Sequence, residues 1–273
     1  MEPTVIKTVF RRRDGVVTRV EDTLVVEEPL EVRVNNEPFT VTMRTPGADF
    51  DLVRGLLLTE GAIRDRSEIG SIRYCDVAET DNTGAENIVT VRLTHAVGER
   101  QRWQRTLMAG SSCGLCGKAA IEALASADVP AISQAPFPLA TLQRLPPLLR
   151  SRQILFDATG GLHAAAIFKA SGECIAFFED IGRHNATDKA IGRGVLDGIL
   201  PWNDPAESLV LLVSGRASFE IVQKALMAGI GVVASVSAAS ALAVDLAETS
   251  GQALVGFLRG ADMTVYTGAN RLA

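Results

Sequence analysis

The sequence predicts an α+β N-terminal part joined to an α/β C-terminal domain with a mixed sheet and helices on both faces. Three observations carry this expectation. Val/Thr/Leu-rich runs fill residues 16–45, and a helical segment follows them. Five prolines, at 130, 136, 138, 146 and 147, crowd between Ala127 and Leu149, where lost backbone donors mark a connection between units. Beyond them two strands precede alternating helices and strands, the order of a mixed sheet covered on both sides. The division runs as 1–145, the part with a CxxC loop, and 146–273.

In the first unit VVTRV, TLVVEEPLEVRVN and FTVTMRT read as strands, interrupted at Pro29 and at the turn Asn35-Asn36-Glu37. After Thr45-Pro46-Gly47, the segment Asp49–Thr59 carries Phe50, Val53, Leu56 and Leu57 at helical spacing, and Gly61 suits its end. Ile69–Val77 and Asn87–Thr94 form a strand pair around a polar loop, and a third strand, Gln101–Met108, leads into the cysteines. In the second unit Leu162–Lys169 and Cys174–Asp180 pair across Ser171-Gly172, and Asn185–Leu200 is helical. The apolar run Leu209–Val213 suits a buried strand. Helix Phe219–Ala228, strand Gly231–Ser235, helix Ala241–Ser250 and strands at Ala253–Leu258 and Met263–Tyr266 complete the order.

Composition narrows the function classes. The 273 residues hold 27 Lys+Arg against 32 Asp+Glu, and 47% are hydrophobic, which excludes a disordered chain or a disulfide scaffold. A net charge of −5 gives no broad attraction for nucleic acid, although a local basic pocket is allowed. The first residues, MEPTVIKTVFRRRDG, lack the apolar region of a secretory signal, so the expected location is the cytoplasm. Ala225–Val244 has twenty uncharged residues, long enough to cross a bilayer, but its glycines, serines and alanines break it into helix end, strand and helix. No membrane association is expected.

Ser111-Ser112-Cys113-Gly114-Leu115-Cys116-Gly117-Lys118 places two thiols three positions apart in a glycine-rich turn before a helix-like run. A helix start and the Lys118 ammonium both favour thiolate, which makes these cysteines nucleophilic. Three chemistries fit such a pair. A zinc site needs further ligands, yet Cys75 and Cys174 stand alone and His95, His163 and His184 are scattered. A redox or structural CxxC is the second, and it lacks the βαβ unit expected before it. Sulfur carriage as a persulfide is the third.

The run Glu179-Asp180-Ile181-Gly182-Arg183-His184-Asn185-Ala186-Thr187-Asp188-Lys189 spans a strand-to-helix junction. Asn185 as N-cap with solvated charges accounts for part of it. The clustering of Arg183, His184 and Lys189 where helix amides also point suits an anion such as phosphate. Ser214-Gly215-Arg216-Ala217-Ser218 follows a buried strand and opens a helix, at the strand end where α/β sheets bind ligands. Two basic helix-opening turns in one domain favour a nucleotide-sized polyanion. His163, beside Gly160-Gly161-Leu162, and the turn Gly256-Phe257-Leu258-Arg259-Gly260 supply further pocket edges.

These residues resemble the formate dehydrogenase accessory sulfurtransferases, the FdhD family. The resemblance lies in Arg44-Thr45-Pro46-Gly47 with Thr59-Glu60-Gly61, SSCGLCGK at 111–118, ATGGLHAA at 158–165, EDIGRHNATDKAIG at 179–192, SGRASFEIVQKA at 214–225 and GFLRG at 256–260. It implies a cytidine-deaminase-like C-terminal fold and a homodimer. It also implies a sulfurtransferase that takes sulfur from a cysteine desulfurase and delivers it to the bis-molybdopterin guanine dinucleotide cofactor of formate dehydrogenase, with molybdenum or tungsten. By position Cys113 would bear the persulfide and Cys116 would be its partner. The cofactor would be a bound substrate, with guanine nucleotide as its mimic and no zinc required. Its binding residues would include Arg183, His184, Asn185, Lys189, Ser214 and Arg216. The stretch Phe257, Leu258, Arg259, Gly260, Ala261 and Asp262 would join them, although Asp262 would repel phosphate. A zinc deaminase would need an H-x-E segment and a later P-C-x-x-C, and neither is present. A non-catalytic molybdenum-cofactor-binding chaperone is the alternative; it would need the basic pocket but not the cysteines.

Overall fold

The computed structural model describes residues 2–75, 85–95 and 129–273. The strand Gln101–Met108, both cysteines of the CxxC and the helix-like run after them lie outside the described residues. The chain opens with β1 (Thr4–Arg13) and β2 (Val16–Val25), an antiparallel hairpin. Asp14 and Gly15 join them at φ 50° and 81°, the positive values that a two-residue hairpin turn requires. Strand β1 was not foreseen from the sequence, although the Asp-Gly pair is a direct hairpin signal.

A second sheet holds β3 (Glu28–Val34), β4 (Glu37–Arg44), β5 (Ile69–Tyr74) and β6 (Ile88–Leu93) in the order β4-β3-β6-β5. Asn35 and Asn36, at φ 51° and 69°, make its first turn as expected. Pro29 does not interrupt β3. It pairs with Met43 on the β4 side, and β6 begins its pairing only at Glu31, so no donor is missed there. Helix α1 runs Asp49–Thr59 as predicted. Gly61, at φ 69°, ends it in a Schellman arrangement: Ala62 N donates to Leu57 O and Gly61 N to Leu58 O.

The third sheet is mixed and six-stranded. Its strands are β7 (His163–Phe168), β8 (Cys174–Asp180), β9 (Val210–Val213), β10 (Val232–Ser235), β11 (Ala253–Arg259) and β12 (Asp262–Thr267), in the order β12-β11-β10-β9-β7-β8. β9, β10 and β11 are parallel, while β7, β8 and β12 pair antiparallel to their neighbours. The helices are α2 (Leu139–Arg150), α3 (Ile154–Thr159), α4 (Arg183–Leu196), α5 (Phe219–Met227) and α6 (Ala241–Ser250). The uncharged run Ala225–Val244 divides into the end of α5, β10 and the start of α6, and no described helix is long and apolar enough to cross a membrane.

At its central strands the mixed sheet is buried on both faces, which explains the continuous apolar run of β9. Leu211 and Val213 point into one core, while Val210 and Leu212 point into the other. The first core is shared with the N-terminal sheet: Leu30, Val32, Val89 and Val91 join Leu52, Leu57, Ile191 and Ile221 without a break. The second is closed by Leu142, Leu145 and Leu149 of α2. Pro146 and Pro147 sit inside that helix instead of ending it. Its buried leucines keep a three-to-four spacing across the prolines, so packing outweighs the lost backbone bonds.

Helices α1 and α4 cross at backbone contact. A Cβ on Gly55 would lie 1.8 Å from the Asp188 carbonyl oxygen, and one on Gly192 would lie 1.7 Å from that of Asp51. Only glycine on both helices permits this approach.

Candidate functional site

The carboxyl ends of β9, β10 and β11 form one edge, and the loops that leave it are hydrogen-bonded to each other. Ala217 N donates to Ala238 O, Ser240 N to Ala217 O, and Phe257 N to Ser237 O. Ser235 Oγ, buried, donates to Gly215 O at 2.6 Å and fixes the turn after β9. His163 reaches the same edge because β7 runs antiparallel to β9. There the Ser214 Oγ accepts from Ala164 N at 2.8 Å. A Cβ on Gly215 would approach His163 Nδ1 at 3.2 Å and Arg183 Cδ at 3.6 Å, so this glycine lets the histidine and the arginine close around the turn.

Arg183 is the first residue of α4, and its N-cap is Gly182, not Asn185 as the sequence analysis expected. The helix therefore starts two residues earlier, and Asn185 turns inward. Arg183 Nε is buried with no hydrogen-bond partner among the described residues. Arg193 Nε and Arg271 Nε share this state elsewhere in the fold; at this edge, beside Arg216, an anion could complete the unsatisfied nitrogen. Arg216 is exposed beside it. His184 Nε2 lies 3.4 Å from Ser218 Oγ and 3.8 Å from Glu220 Oε2, at the start of α5.

Burial, reinforced by Arg183 and Lys224, pulls His184 down to about 4. Burial, then Arg183 and Arg216, lower His163 as well. Both imidazoles are neutral at pH 7, so they act there as neutral hydrogen-bonding groups. Burial alone would raise Glu220, but hydrogen bonds from Ser218 and its own amide, with His184 and Arg183 nearby, lower it. Stability should respond. The unfolded chain protonates His184 near 6.5, whereas the folded chain resists until about 4, so stability falls as pH drops through that window. His184→Gln should flatten this part of the profile, as read by thermal unfolding from pH 7 to 4.

The other residues singled out from the sequence divide by burial. Phe257, at φ 51°, and Arg259 are exposed, whereas the Leu258 side chain is in the core. Gly260, at φ 64°, turns the chain into β12, with Ala261 and Asp262 exposed. Arg259 and Asp262 are register partners across this turn. Asn185 and Lys189 do not face the edge. Lys189 is 2% exposed, pairs with Asp180 Oδ2 at 2.7 Å and donates to Thr45 O at 2.8 Å. Asn185 donates to Met43 O and to Asp180 Oδ1 and accepts from Thr42 Oγ1. Thr45 N donates to Asp180 Oδ2, and Thr45 Oγ1 accepts from Ile181 N.

A second buried set was not foreseen. Lys224 Nζ donates to both Asp188 carboxylate oxygens, at 3.0 and 2.9 Å, and to Thr59 Oγ1 at 3.0 Å. Thr59 Oγ1 donates to Asp188 at 2.9 Å. Burial alone would lower Lys224, but Asp188 and Glu60 beside it hold the ammonium charged. Arg44, fully buried, makes a bidentate pair with Asp49, which also accepts from Tyr74 Oη. The RTPG and TEG segments thus supply the partners of the polar residues on α4 and α5.

The chain matches the model of the FdhD/NarQ family over residues 25–273. It is 50% identical to the "Sulfur carrier protein FdhD" of Streptomyces avermitilis over 274 residues, covering 98% of this chain and 95% of that one. It is 52% identical to the protein of the same name in Mycolicibacterium paratuberculosis over 254 residues, 92% of each chain. The identity to that of Mycobacterium tuberculosis is 50% over 265 residues, 95% and 94% of the two chains. A crystal structure from Desulfotalea psychrophila, named as a formate dehydrogenase accessory protein, superimposes with a TM-score of 0.76 at 19% identity, covering both chains fully. That similarity extends the fold alone.

Proposed function

The chain belongs to the FdhD/NarQ family, and on that premise we propose that it is a sulfur carrier serving formate dehydrogenase. One observation carries the reading: relatives named sulfur carriers match nearly the whole chain, whose sequence has the nucleophilic pair Cys113 and Cys116. The proposed donor is a cysteine desulfurase and the proposed acceptor is bis-molybdopterin guanine dinucleotide, bound as substrate, in the cytoplasm. We further propose a homodimer and a cytidine-deaminase-like C-terminal unit; the division expected at residues 145 and 146 falls inside α2, whose Leu142, Leu145 and Leu149 pack as one element on the mixed sheet. The order β8-β7-β9-β10-β11, with β7 antiparallel to β9, supports the deaminase-like reading.

The chemistry follows from thiol exchange. The Cys113 thiolate attacks the outer sulfur of the donor persulfide, an S–S bond forms on Cys113, and the donor cysteine leaves as thiolate. Cys116 thiolate attack on Cys113 Sγ would release the outer sulfur as hydrosulfide and leave a disulfide, which discharges the carrier. The cofactor's phosphates are proposed to meet Arg183, Arg216 and Arg259, with the first-turn amides of α4 adding donors. The uncompensated Arg183 Nε supports this assignment. Asn185 and Lys189 hold the turn that presents Arg183 through Asp180 and Thr45, so their replacement would act on the shape of the edge.

Two variants separate the parts. Arg183→Ala should weaken guanine-nucleotide binding about 10- to 100-fold, the loss of one charged hydrogen-bonding group, while persulfide loading is unchanged. Cys113→Ala should do the reverse and fail to activate formate dehydrogenase in a reconstituted maturation assay. Full activation by Cys113→Ala, with Arg183→Ala inactive, would replace the carrier with a cofactor-binding chaperone.

A further inference from the structure

We propose that the solvent-facing side of the N-terminal hairpin docks onto a partner protein whose surface presents carboxylates around an apolar centre. The hairpin is a sheet of two strands, ten residues apiece, that pair only with each other among the described residues. Such a ribbon is marginal in water unless one face is covered. Its base is anchored, since Val25 packs against Gly161. The rest is not.

Register assigns the faces. Ile6 opposes Thr23, Phe10 opposes Arg19 and Arg12 opposes Val17, so all six side chains share one side. On it Ile6 is 65%, Phe10 76% and Val17 59% exposed, with exposed Arg12 and Arg19 among them and the exposed Glu21, opposite Thr8, on the same side. Phe10–Arg19 holds four arginines and one aspartate, in a chain whose net charge is −5. Arg11 is paired with Asp22 at 3.1 Å; Arg12, Arg13 and Arg19 make no ion pair among the described residues. The cationic tip therefore carries a charge opposite to the chain's net charge. It steers an acidic partner to this one place, and Phe10 and the arginines supply contacts typical of interface centres.

A lipid surface fits less well. Among the described residues both outer edges of the ribbon are unpaired, and hydrocarbon cannot satisfy those amides, whereas a protein can supply polar groups or a strand. The acidic net charge likewise opposes nucleic acid. The match to the family model starts at residue 25, where the hairpin ends.

The identity of the probes rests on the sulfur-carrier reading, so binding is measured apart from chemistry. Purified cysteine desulfurase and formate dehydrogenase are titrated against the parent chain, Phe10→Ser and the double variant Arg12→Glu/Arg19→Glu, at low and physiological salt. The expected result is at least a tenfold loss of affinity for one of the two proteins in both variants, with the salt dependence removed in the double variant. Loading of Cys113 from a small-molecule persulfide should stay at the parental level, so its failure would count against the carrier reading alone. The double variant alters only exposed side chains and keeps the test valid if Phe10→Ser misfolds. Unchanged affinity for both proteins overturns the proposal. So does an effect confined to self-association in sedimentation, or to binding of phosphatidylglycerol vesicles.

Discussion

Lys224→Met should cost about 3–5 kcal/mol of folding stability, because it leaves a buried carboxylate without its cation. Asp188 is 2% exposed and receives both of its charged hydrogen bonds from this ammonium, with Thr59 as its other donor. In the variant Asp188 becomes a buried acid that ionises only with difficulty. Its folded-state pKa then lies above the unfolded value near 4, so the variant should lose stability as pH rises through that window and recover it on acidification. Asp188→Asn placed on Lys224→Met should restore part of the loss at pH 7. Urea unfolding of the parent, both single variants and the double variant would measure the coupling, and additive costs would show that the pair is not a unit.

Gly192→Ala should be at least as damaging. The new methyl would sit 1.7 Å from the Asp51 carbonyl oxygen and close to the Gly55 amide nitrogen, both backbone atoms of α1. No rotamer change relieves a contact between two helix backbones. The helices must separate, which pulls Lys189 from Thr45 and Arg193 from Asp51, bonds of 2.8 and 2.7 Å. Overpacking of this kind costs about 3 kcal/mol or more, roughly a 10 °C drop in thermal midpoint at this size. A midpoint within about 2 °C of the parent would mean that the helices do not meet as described. Gly15→Ala is a useful contrast: no atom lies within 4 Å of its Cβ, and its φ of 81° makes the cost one of backbone strain alone.

These two sites mark where the sequence was least legible. The boundaries of α1 could be read directly, since four apolar residues keep helical spacing and Gly61 closes the last turn. The parallel strands were equally plain, because both faces are buried and the runs are wholly apolar. Asn185, Asp188 and Gly192 lie three and four positions apart, the spacing of one helix face, yet polar residues at that spacing normally mark a solvated side. What reverses the meaning is a partner helix more than a hundred residues earlier: Thr59 lies 129 positions before Asp188. Lys189 was read as a phosphate donor for the same reason, since its partners Asp180 and Thr45 are brought to it only by folding. The positions of Arg183 and Arg216 at one end of the mixed sheet could be read from the sequence, because each follows a strand and precedes or opens a helix.

The arrangement gives each motif a distinct role. The polar residues of α4 and α5 hold the N-terminal sheet against the mixed sheet, and the arginines at the helix starts remain at the edge. A rigid base beneath a cationic edge suits the proposed binding of a polyanionic cofactor.

The most direct test is the intact mass of the purified chain after incubation with a cysteine desulfurase and cysteine, with peptide mapping across residues 111–118. A gain of one sulfur atom on Cys113, reversed by reductant and absent from Cys113→Ala, is the result expected of a sulfur carrier. No gain on Cys113 or Cys116, under conditions where a control acceptor loads, would contradict it.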